Sequence, residues 1–272
     1  MRRNEDTGIT REKVFTALSI AGSDSGGCAG IQADLRTFSA LGVHGMTAIT
    51  SVTSQDTRRV HESFTIPAGS VYSQIEAVLG DIGADAVKTG MLPDGDIIGV
   101  AVGQLRKHQV SNLVVDPVMI STGGDLLVSE SAAESLIEML LPLAAVVTPN
   151  LSEAMAITGR EVATLDDMYA AAAEIKKIGA RSVLVKGGHL EDSAFSTDLF
   201  YDGESFKEYR VPRVATKNTH GSGCTLAAAI AAFLARGSEL GLAVSRAKEY
   251  VTGAIKNSYP LGGGNGPLGH FY

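Results

Sequence analysis

Short apolar segments rich in branched residues alternate along the chain with longer segments in which apolar residues recur every three or four positions. The first pattern is typical of buried strands and the second of amphipathic helices. The predicted strands cover residues 14–20, 46–52, 60–66, 85–88, 113–118, 145–148 and 182–186. The predicted helices cover residues 31–41, 69–79, 96–108, 131–140, 151–157 and 165–178. This alternation predicts an α/β fold with a mostly parallel central sheet and helices on both faces.

Two further patterns follow the last of these strands. Residues 197–201 and 205–211 are predicted to pair as a hairpin across Asp202-Gly203, a dipeptide that favours tight turns. A glycine-rich segment then leads into an apolar helix over residues 226–235, which stops at Gly237. Because no long linker or repeat interrupts the chain, residues 14–272 are interpreted as one domain that follows a flexible tail over residues 1–13.

Composition and charge exclude several classes of protein. The chain of 272 residues is 44% hydrophobic and carries a net charge of −7, so it lacks the broad basic surface of nucleic-acid-binding proteins. It has no apolar run long enough to cross a bilayer and no secretory signal, so we expect a cytoplasmic protein that binds neither membrane nor nucleic acid. Cys28 and Cys224 lack metal-type spacing and are expected to be free thiols.

The glycine-rich segment over residues 217–225 is the most informative site candidate. A glycine-rich turn that opens a buried helix gathers unpaired backbone N–H groups at the positive end of the helix dipole, where phosphate oxygens bind. The predicted anion hole consists of Gly221, Ser222, Gly223 and Cys224. The alternative is a purely structural helix start with a small cysteine chosen for packing. Neither the GxGxxG pattern nor the P-loop pattern occurs, which disfavours a dinucleotide binder and a P-loop NTPase.

Polar residues also follow the predicted parallel strands, at the edge where ligands bind in open α/β folds. Asp116 and Glu153 could hold Mg2+ through water. Asn150 with Glu153 equally matches a capping box, which explains their spacing without a ligand. Gln55 could bind the edge of a heterocycle, because its amide both donates and accepts, or it could be an ordinary turn residue.

Three other residues allow simpler interpretations. Asp34, on the helix after the first glycine-rich loop, is typical of a solvated helix face or a partner of the helix dipole. His220 has no second His or Cys at metal-ligand spacing and is interpreted as hydrogen-bonded within its own loop. Cys224 lies at a helix start, where the pKa of a thiol is expected to fall below its free value of about 8.5.

Six segments occur in an order that identifies a family. They are AGSDSGGCAGIQADL (21–35), KTGML (88–92), VDPVM (115–119), TPN with Glu153 (148–153), KGGH (186–189) and TKNTHGSGCT (216–225). Together they resemble the hydroxymethylpyrimidine/phosphomethylpyrimidine kinases of thiamin biosynthesis, in the ribokinase-like superfamily, over nearly the whole chain after residue 14. The resemblance implies a ribokinase-like fold. It also implies phosphorylation of 4-amino-5-hydroxymethyl-2-methylpyrimidine and then of its monophosphate, with ATP and Mg2+.

The resemblance also implies residue roles. The pyrimidine would lie against Gly22, Asp34, Gln55, Met91 and Val118, with Cys224 near the hydroxymethyl group. ATP would lie along Asn150, Lys186 and the loop over residues 221–224, with Mg2+ near Asp116 and Glu153. Sugar kinases of the superfamily carry an aspartate base where this chain has Cys224, which leaves the base open. Cys28 and Asp56 also depart from the small residue and the asparagine of many relatives.

Two alternatives remain from the sequence. A pyridoxal or pyridoxine kinase of the same branch would also phosphorylate a heterocycle that carries a hydroxymethyl group, and one enzyme could do both. A non-catalytic nucleotide-binding regulator would not need Asp116, Glu153 and Lys186 together. Cys224 is hypothesised to assist the first phosphorylation more than the second, because a phosphate monoester is already ionised at neutral pH. The expected assembly is a homo-oligomer, with a dimer favoured.

Overall fold

The structure is a computed structural model that describes residues 13–119, 128–188, 190 and 194–272. The described strands are β1 (Thr16–Asp24), β2 (His44–Gln55), β3 (Val60–Thr65), β4 (Ala86–Thr89), β5 (Leu113–Val115), β6 (Val146–Val147), β7 (Val183–Gly187), β8 (Phe195–Tyr201) and β9 (Phe206–Pro212). The described helices are α1 (Gly30–Ala40), α2 (Ala68–Asp81), α3 (Gly95–Lys107), α4 (Glu130–Ser135), α5 (Leu151–Thr158), α6 (Leu165–Lys177), α7 (Ser222–Ala235) and α8 (Leu240–Lys256).

All nine strands form one sheet in the order β3-β2-β1-β4-β5-β6-β7-β8-β9. The six central strands, from β2 to β7 in this order, run parallel to one another. Strand β3 at one edge, and β8 and β9 at the other side, are antiparallel to their neighbours, and β8 with β9 form the predicted hairpin. The α/β fold with a mostly parallel sheet is therefore confirmed.

Helices cover both faces of the sheet, which is why its central strands are continuously apolar. In β5, Leu113 and Val115 point to one hydrophobic cluster and Val114 to the other, as the two-residue period of a strand requires. Helices α2 to α6 pack on the first cluster, whereas α1, α7 and α8 pack on the second. The sheet is thus packed between two separate cores.

Helix α7 is buried on every side, as its sequence predicts. Every residue from Thr225 to Ala235 is buried, and Gly237 follows the helix with a positive φ of 82°. Helix α8 packs along α7 and was not among the predicted elements. Its buried side chains recur at helical spacing, at Ala243, Val244, Ala247, Tyr250, Val251 and Ala254. That spacing is the signal that would have revealed it.

Some predicted elements differ from the observed ones or fall outside the described residues. The helix predicted over residues 131–140 is α-helical only to Ser135; a π-helical turn (Leu136–Leu140) and a 3-10 turn (Leu141–Leu143) follow. Pro142 has no N–H to continue the ladder. Of the predicted tail over residues 1–13 only Lys13 is described, and His189 of the KGGH segment lies outside. None of the described helices has the length and apolar character needed to span a bilayer.

Candidate active site

A cavity of about 710 Å3 lies at the carboxyl edge of the parallel strands. Its volume is within the range of small-molecule sites. Twelve of the predicted site residues line it, namely Gly22, Gln55, Met91, Asp116, Val118, Asn150, Glu153, Lys186, Gly221, Ser222, Gly223 and Cys224. The structure brings these residues together, and their chemical roles remain predictions. The thirteenth, Asp34, does not line the cavity.

The predicted anion hole opens α7. Gly221 is the N-cap residue with a φ of 82°, and no described side chain caps the helix. The Thr225 N–H donates to the Gly221 carbonyl at 2.9 Å and the Ser222 N–H to the Thr219 carbonyl at 3.1 Å. The N–H groups of Gly223 and Cys224 have no partner among the described residues, and both residues line the cavity. A methyl group on Gly221 would collide with the Cys28 carbonyl oxygen, so the two glycine-rich loops pack backbone against backbone. The loop can therefore present N–H groups to an anion.

A lysine between two carboxylates lies beside this helix start. The Lys186 Nζ is 2.7 Å from Asp116 Oδ1 and 3.7 Å from Glu153 Oε2. It also lies 3.2 Å from where a Cβ on Gly223 would stand, so its charge adjoins the N-terminus of α7. Burial disfavours the ammonium, but the two carboxylates outweigh that effect and hold the pKa of Lys186 above its usual value. A permanent positive charge therefore faces the anion hole.

The capping box predicted for α5 is present. The Asn150 N–H donates to Glu153 Oε2 at 2.8 Å, and the Glu153 N–H donates to Asn150 Oδ1 at 2.9 Å. Glu153 also lines the cavity, so the capping and functional interpretations do not exclude each other. Burial raises the pKa of Glu153 to about 7, although the Lys186 ammonium opposes this shift.

The two carboxylates make only part of a metal site. In the described chain, no three His, Cys, Asp or Glu residues gather closely enough to hold a metal ion. Asp116 Oδ1 accepts from Lys186, and Glu153 Oε2 accepts from Asn150. Their other oxygens, Asp116 Oδ2 and Glu153 Oε1, have no hydrogen-bond partner among the described residues. This donor set fits Mg2+, which keeps several waters and takes phosphate oxygens besides one or two carboxylates.

Asp34 is buried away from both solvent and the cavity surface. The interpretation of Asp34 as part of a solvated helix face or as a partner of the helix dipole is therefore wrong. Its carboxylate is fully buried, accepts from Ser19 Oγ at 2.6 Å and pairs with Lys88 Nζ at 2.9 Å. Lys88, from the KTGML segment, is fully buried and lies next to the cavity. Burial disfavours its charge, but the Asp34 carboxylate outweighs this effect and raises the pKa of Lys88. The sequence did not reveal this pair, because it joins α1 to β4.

The expected lowering of the Cys224 pKa is also wrong. Desolvation among protein atoms raises the pKa of the thiol to about 11, and the nearby Lys88 ammonium lowers it only in part. Removal of water from the thiolate therefore outweighs the attraction of that ammonium. Cys224 and Cys28 are both free, as predicted. At neutral pH the Cys224 side chain is therefore an uncharged thiol.

The Cys224 thiol is expected to react slowly with iodoacetamide at neutral pH, because the thiolate is the nucleophile. In a Cys28→Ser background, its alkylation rate should rise about tenfold per pH unit from pH 7 to beyond pH 10, following the thiolate fraction. Mass spectrometry measures the rate, with N-acetylcysteine as the freely solvated control. A rate that levels off near pH 8 would mean that the helix N-terminus lowers the pKa after all.

Gln55 and His220 meet at the other end of the cavity. The two Nε2 atoms are 3.1 Å apart, although the residues are 165 positions apart in the chain. The Gln55 Oε1 lies 3.1 Å from Thr53 Oγ1. The His220 side chain is thus bonded to β2 and its backbone N–H to the Gly266 carbonyl, so the interpretation of hydrogen bonding within its own loop is wrong. Sequence reasoning could not find this pair, because no short-range pattern connects the two segments.

An apolar extension of the cavity comes from segments that sequence reasoning missed. Val251 and Ile255 of α8 line it, together with Val211 at the end of β9 and Val214 just after that strand. Beside them, Lys248 Nζ pairs with Asp198 Oδ2 at 2.7 Å. The cavity therefore joins an apolar end, a charged middle and a hydrogen-bonding end.

Known proteins are similar to this chain in sequence over nearly all of its length. A hydroxymethylpyrimidine/phosphomethylpyrimidine kinase from Rhizobium meliloti (strain 1021) is 50% identical over 94% of this chain and 97% of its own length. The thiamine biosynthesis bifunctional protein ThiED from Geobacter sulfurreducens is 46% identical over 94% of this chain. This chain spans 52% of that longer protein, about half of it.

Solved structures have the same fold. Pyridoxal kinase from Staphylococcus aureus, in complex with AMP-PCP and pyridoxal, superposes with a TM-score of 0.88 at 38% identity, over 95% of this chain and 94% of that one. Phosphomethylpyrimidine kinase from Clostridium difficile 630 superposes with a TM-score of 0.79 at 44% identity, over 89% of this chain and all of that one. The family model described as phosphomethylpyrimidine kinase matches residues 24–269. The chain therefore belongs to the phosphomethylpyrimidine kinase family, within the ribokinase-like fold.

Proposed function

We propose that this protein transfers the γ-phosphoryl group of MgATP to 4-amino-5-hydroxymethyl-2-methylpyrimidine and then to the resulting monophosphate. The observation that carries the proposal is that an uncapped helix start, a lysine–carboxylate cluster and a paired glutamine adjoin one another in one cavity. Relatives named for both activities, at up to 50% identity, support it.

The proposed mechanism relies on positioning and fixed charge. Phosphoryl transfer has a loose transition state, so the protein has little covalent chemistry to perform. The loop over residues 221–224 binds the oxygens of the transferring group through its free N–H groups, those of Gly223 and Cys224 among them, and Lys186 adds its charge beside them. Asp116 and Glu153 would hold Mg2+, partly through water, and the ion would neutralise charge on the phosphates. We assign the adenine to the apolar end of the cavity, formed by α8 and the segment after β9.

Cys224 takes a positioning role in this proposal. A thiol with a pKa of about 11 holds its proton at neutral pH and is a poor acceptor for the proton of the hydroxymethyl group. The neutral thiol can instead pack against that group at the start of α7. This replaces the hypothesis that Cys224 acts as a base mainly in the first phosphorylation.

A second activity, phosphorylation of pyridoxal, has specific support. The Staphylococcus aureus structure that superposes on this chain is a pyridoxal kinase that contains pyridoxal and an ATP analogue. Pyridoxal and the aminopyrimidine both carry a hydroxymethyl group on a six-membered heterocycle. We propose pyridoxal as a weaker substrate, because its ring lacks an amino group next to a ring nitrogen.

A coupled assay of ADP release tests the proposal with three acceptors, namely the hydroxymethylpyrimidine, its monophosphate and pyridoxal. We expect turnover with both pyrimidines, at a higher kcat/KM than with pyridoxal. Turnover with pyridoxal alone would overturn the pyrimidine assignment. Binding of ATP without turnover of any acceptor would support a nucleotide-binding regulator instead.

Replacing Glu153 with glutamine is expected to raise the Mg2+ concentration for half-maximal rate about tenfold, because one metal-directed carboxylate is lost. The glutamine keeps a side chain that can close the capping box, so the fold should survive. The matched control is Asp167→Asn, which removes a charge from the exposed capping box of α6. That variant should keep the normal Mg2+ dependence. An unchanged Mg2+ dependence in Glu153→Gln would mean that Glu153 only caps α5 and does not bind the metal ion.

A further inference from the structure

The contact between Gln55 and His220 determines which way the Gln55 side-chain amide points. Both side chains line the cavity, and their Nε2 atoms are 3.1 Å apart. A primary amide donates at one end and accepts at the other, and its two ends are nearly equal in shape. What Gln55 offers to a ligand therefore depends on which end faces His220.

The protonation state of His220 settles that question. The Asn265 backbone lies within hydrogen-bonding reach of the His220 ring and favours a proton on it. His220 Nε2 faces the Gln55 Nε2, which can only donate, so that proton belongs on the other ring nitrogen. Burial lowers the pKa of His220, while the Asp24 carboxylate opposes the shift, so the ring is neutral at pH 7. A neutral imidazole has a single N–H, which is already used. Nε2 of His220 is therefore an acceptor.

Only one direction of the Gln55 amide satisfies this acceptor. With Nε2 toward His220, Gln55 donates one N–H, and its Oε1 faces the Thr53 hydroxyl at 3.1 Å. The reversed amide would set Oε1 against the lone pair of His220. It would gain only a bond to Thr53 Oγ1, whose proton can also go to the Ser23 carbonyl at 3.1 Å. The loss at His220 outweighs this gain, because a buried unpaired acceptor is costly.

We propose that His220 is a positioning residue that fixes the Gln55 amide in this direction and so selects the ring edge that the protein binds. The remaining N–H and the second lone pair of Oε1 then stand side by side. They match an edge in which an acceptor ring nitrogen adjoins an exocyclic amino group. The inference rests on the proposed function, because it assigns that edge to the aminopyrimidine.

The same direction rejects other edges. In a 4-oxo pyrimidine the ring nitrogen carries the proton and the exocyclic oxygen accepts, so both complementary bonds are reversed. The pyridoxal ring has no amino group beside its nitrogen and can make only one of the two bonds. Sites that hydrogen-bond a substrate discriminate strongly against analogues that leave their buried groups unpaired.

Calorimetric binding of two unreactive probes tests the proposal. The probes are 4-amino-2,5-dimethylpyrimidine and 2,5-dimethylpyrimidin-4-one, which differ only at the edge in question. We expect wild-type protein to bind the amino probe at least about 100-fold more tightly. His220→Phe removes the acceptor at similar volume, so the amide can turn and the preference should fall below about tenfold. His220→Gln can place an acceptor oxygen near the same point and should retain most of the preference.

ATP affinity and the melting temperature of each variant report on the fold and on the adjacent loop. If His220→Phe does not fold, His220→Asn serves in its place, because its short side chain also withdraws the acceptor from Gln55. An equal preference in wild type and in the variant without the acceptor would overturn the inference. Loss of the preference in His220→Gln to the same extent would also overturn it, because general disruption would then explain both.

The proposed function can fail separately. Wild-type protein that prefers the amino probe but does not phosphorylate the hydroxymethylpyrimidine would refute the kinase assignment and leave the role of His220 standing. Wild-type protein with normal turnover and no preference between the probes would refute the role of His220 alone. Gln55→Ala should lose the preference in either case, because it removes the amide itself.

Discussion

Replacing Lys88 with methionine is expected to lower the free energy of unfolding by about 3–5 kcal/mol, because it leaves the Asp34 carboxylate buried without its partner. Both side chains are fully buried, so water cannot compensate for the loss. Ser19 would still donate to Asp34, but a hydroxyl does not neutralise a charge. Urea denaturation followed by circular dichroism measures the change.

The double variant Lys88→Met with Asp34→Asn provides the control for this prediction. It removes both charges and keeps an acceptor for Ser19, so it should recover at least half of the lost stability. The stability of Lys88→Met alone should also depend on pH. Its native state would hold a proton on Asp34 more tightly than the unfolded chain does, so its deficit relative to wild type should shrink from pH 8 to pH 5. A deficit that is constant with pH, and not rescued in the double variant, would show that packing rather than charge explains the loss.

Replacing Gly221 with alanine is expected to reduce kcat/KM at least about 100-fold for every acceptor. The new methyl group would collide with the Cys28 carbonyl oxygen, which belongs to the backbone and cannot swing aside. A φ of 82° adds about 1–2 kcal/mol of strain for any residue with a Cβ. The helix start would therefore shift, and its N–H groups would no longer meet the transferring phosphoryl group. Steady-state kinetics with each acceptor measures the loss.

Gly237→Ala is a matched control for Gly221→Ala. Gly237 also has a φ of 82°, but nothing lies within 4 Å of the position of its added Cβ. Backbone strain should therefore lower the melting temperature of the Gly237→Ala variant slightly, and its turnover should stay normal. If Gly221→Ala behaved in the same way, the proposed anion hole would not need the close packing of the two glycine-rich loops.

The strands and helices that position the site could be predicted because burial imposes a period. Segments such as Leu113–Val115 are apolar at every position, since helices cover both faces of the sheet. Helix α8 also carries this period, with buried residues at helical spacing from Ala243 to Ala254, so it was open to prediction by the same argument and was missed. The π-helical turn after Ser135 could not be predicted, because no propensity distinguishes it from an α-helix.

The site was predictable where chemistry follows strand ends and helix starts, and not where it depends on contacts across the sheet. Asp116 and Lys186 follow from the rule that ligands bind beyond the carboxyl ends of parallel strands. The partner of Asp34 depends on the register of β4 beside β1, which no local pattern contains. The pKa of Cys224 depends on how much water the folded chain excludes, and sequence spacing does not report that.

The alanine content of α7 bears on how the anion hole is held still. Six of the ten residues from Leu226 to Ala235 are alanines, and all ten are buried. An alanine loses no rotamer freedom when it is buried, so this helix is ordered at a low cost in side-chain entropy. A close-packed helix with few alternative side-chain arrangements keeps its first turn in one place before any nucleotide arrives. The free N–H groups of the loop over residues 221–224 can then meet a phosphate without first being ordered by it, so little of the binding energy is lost to immobilising the loop.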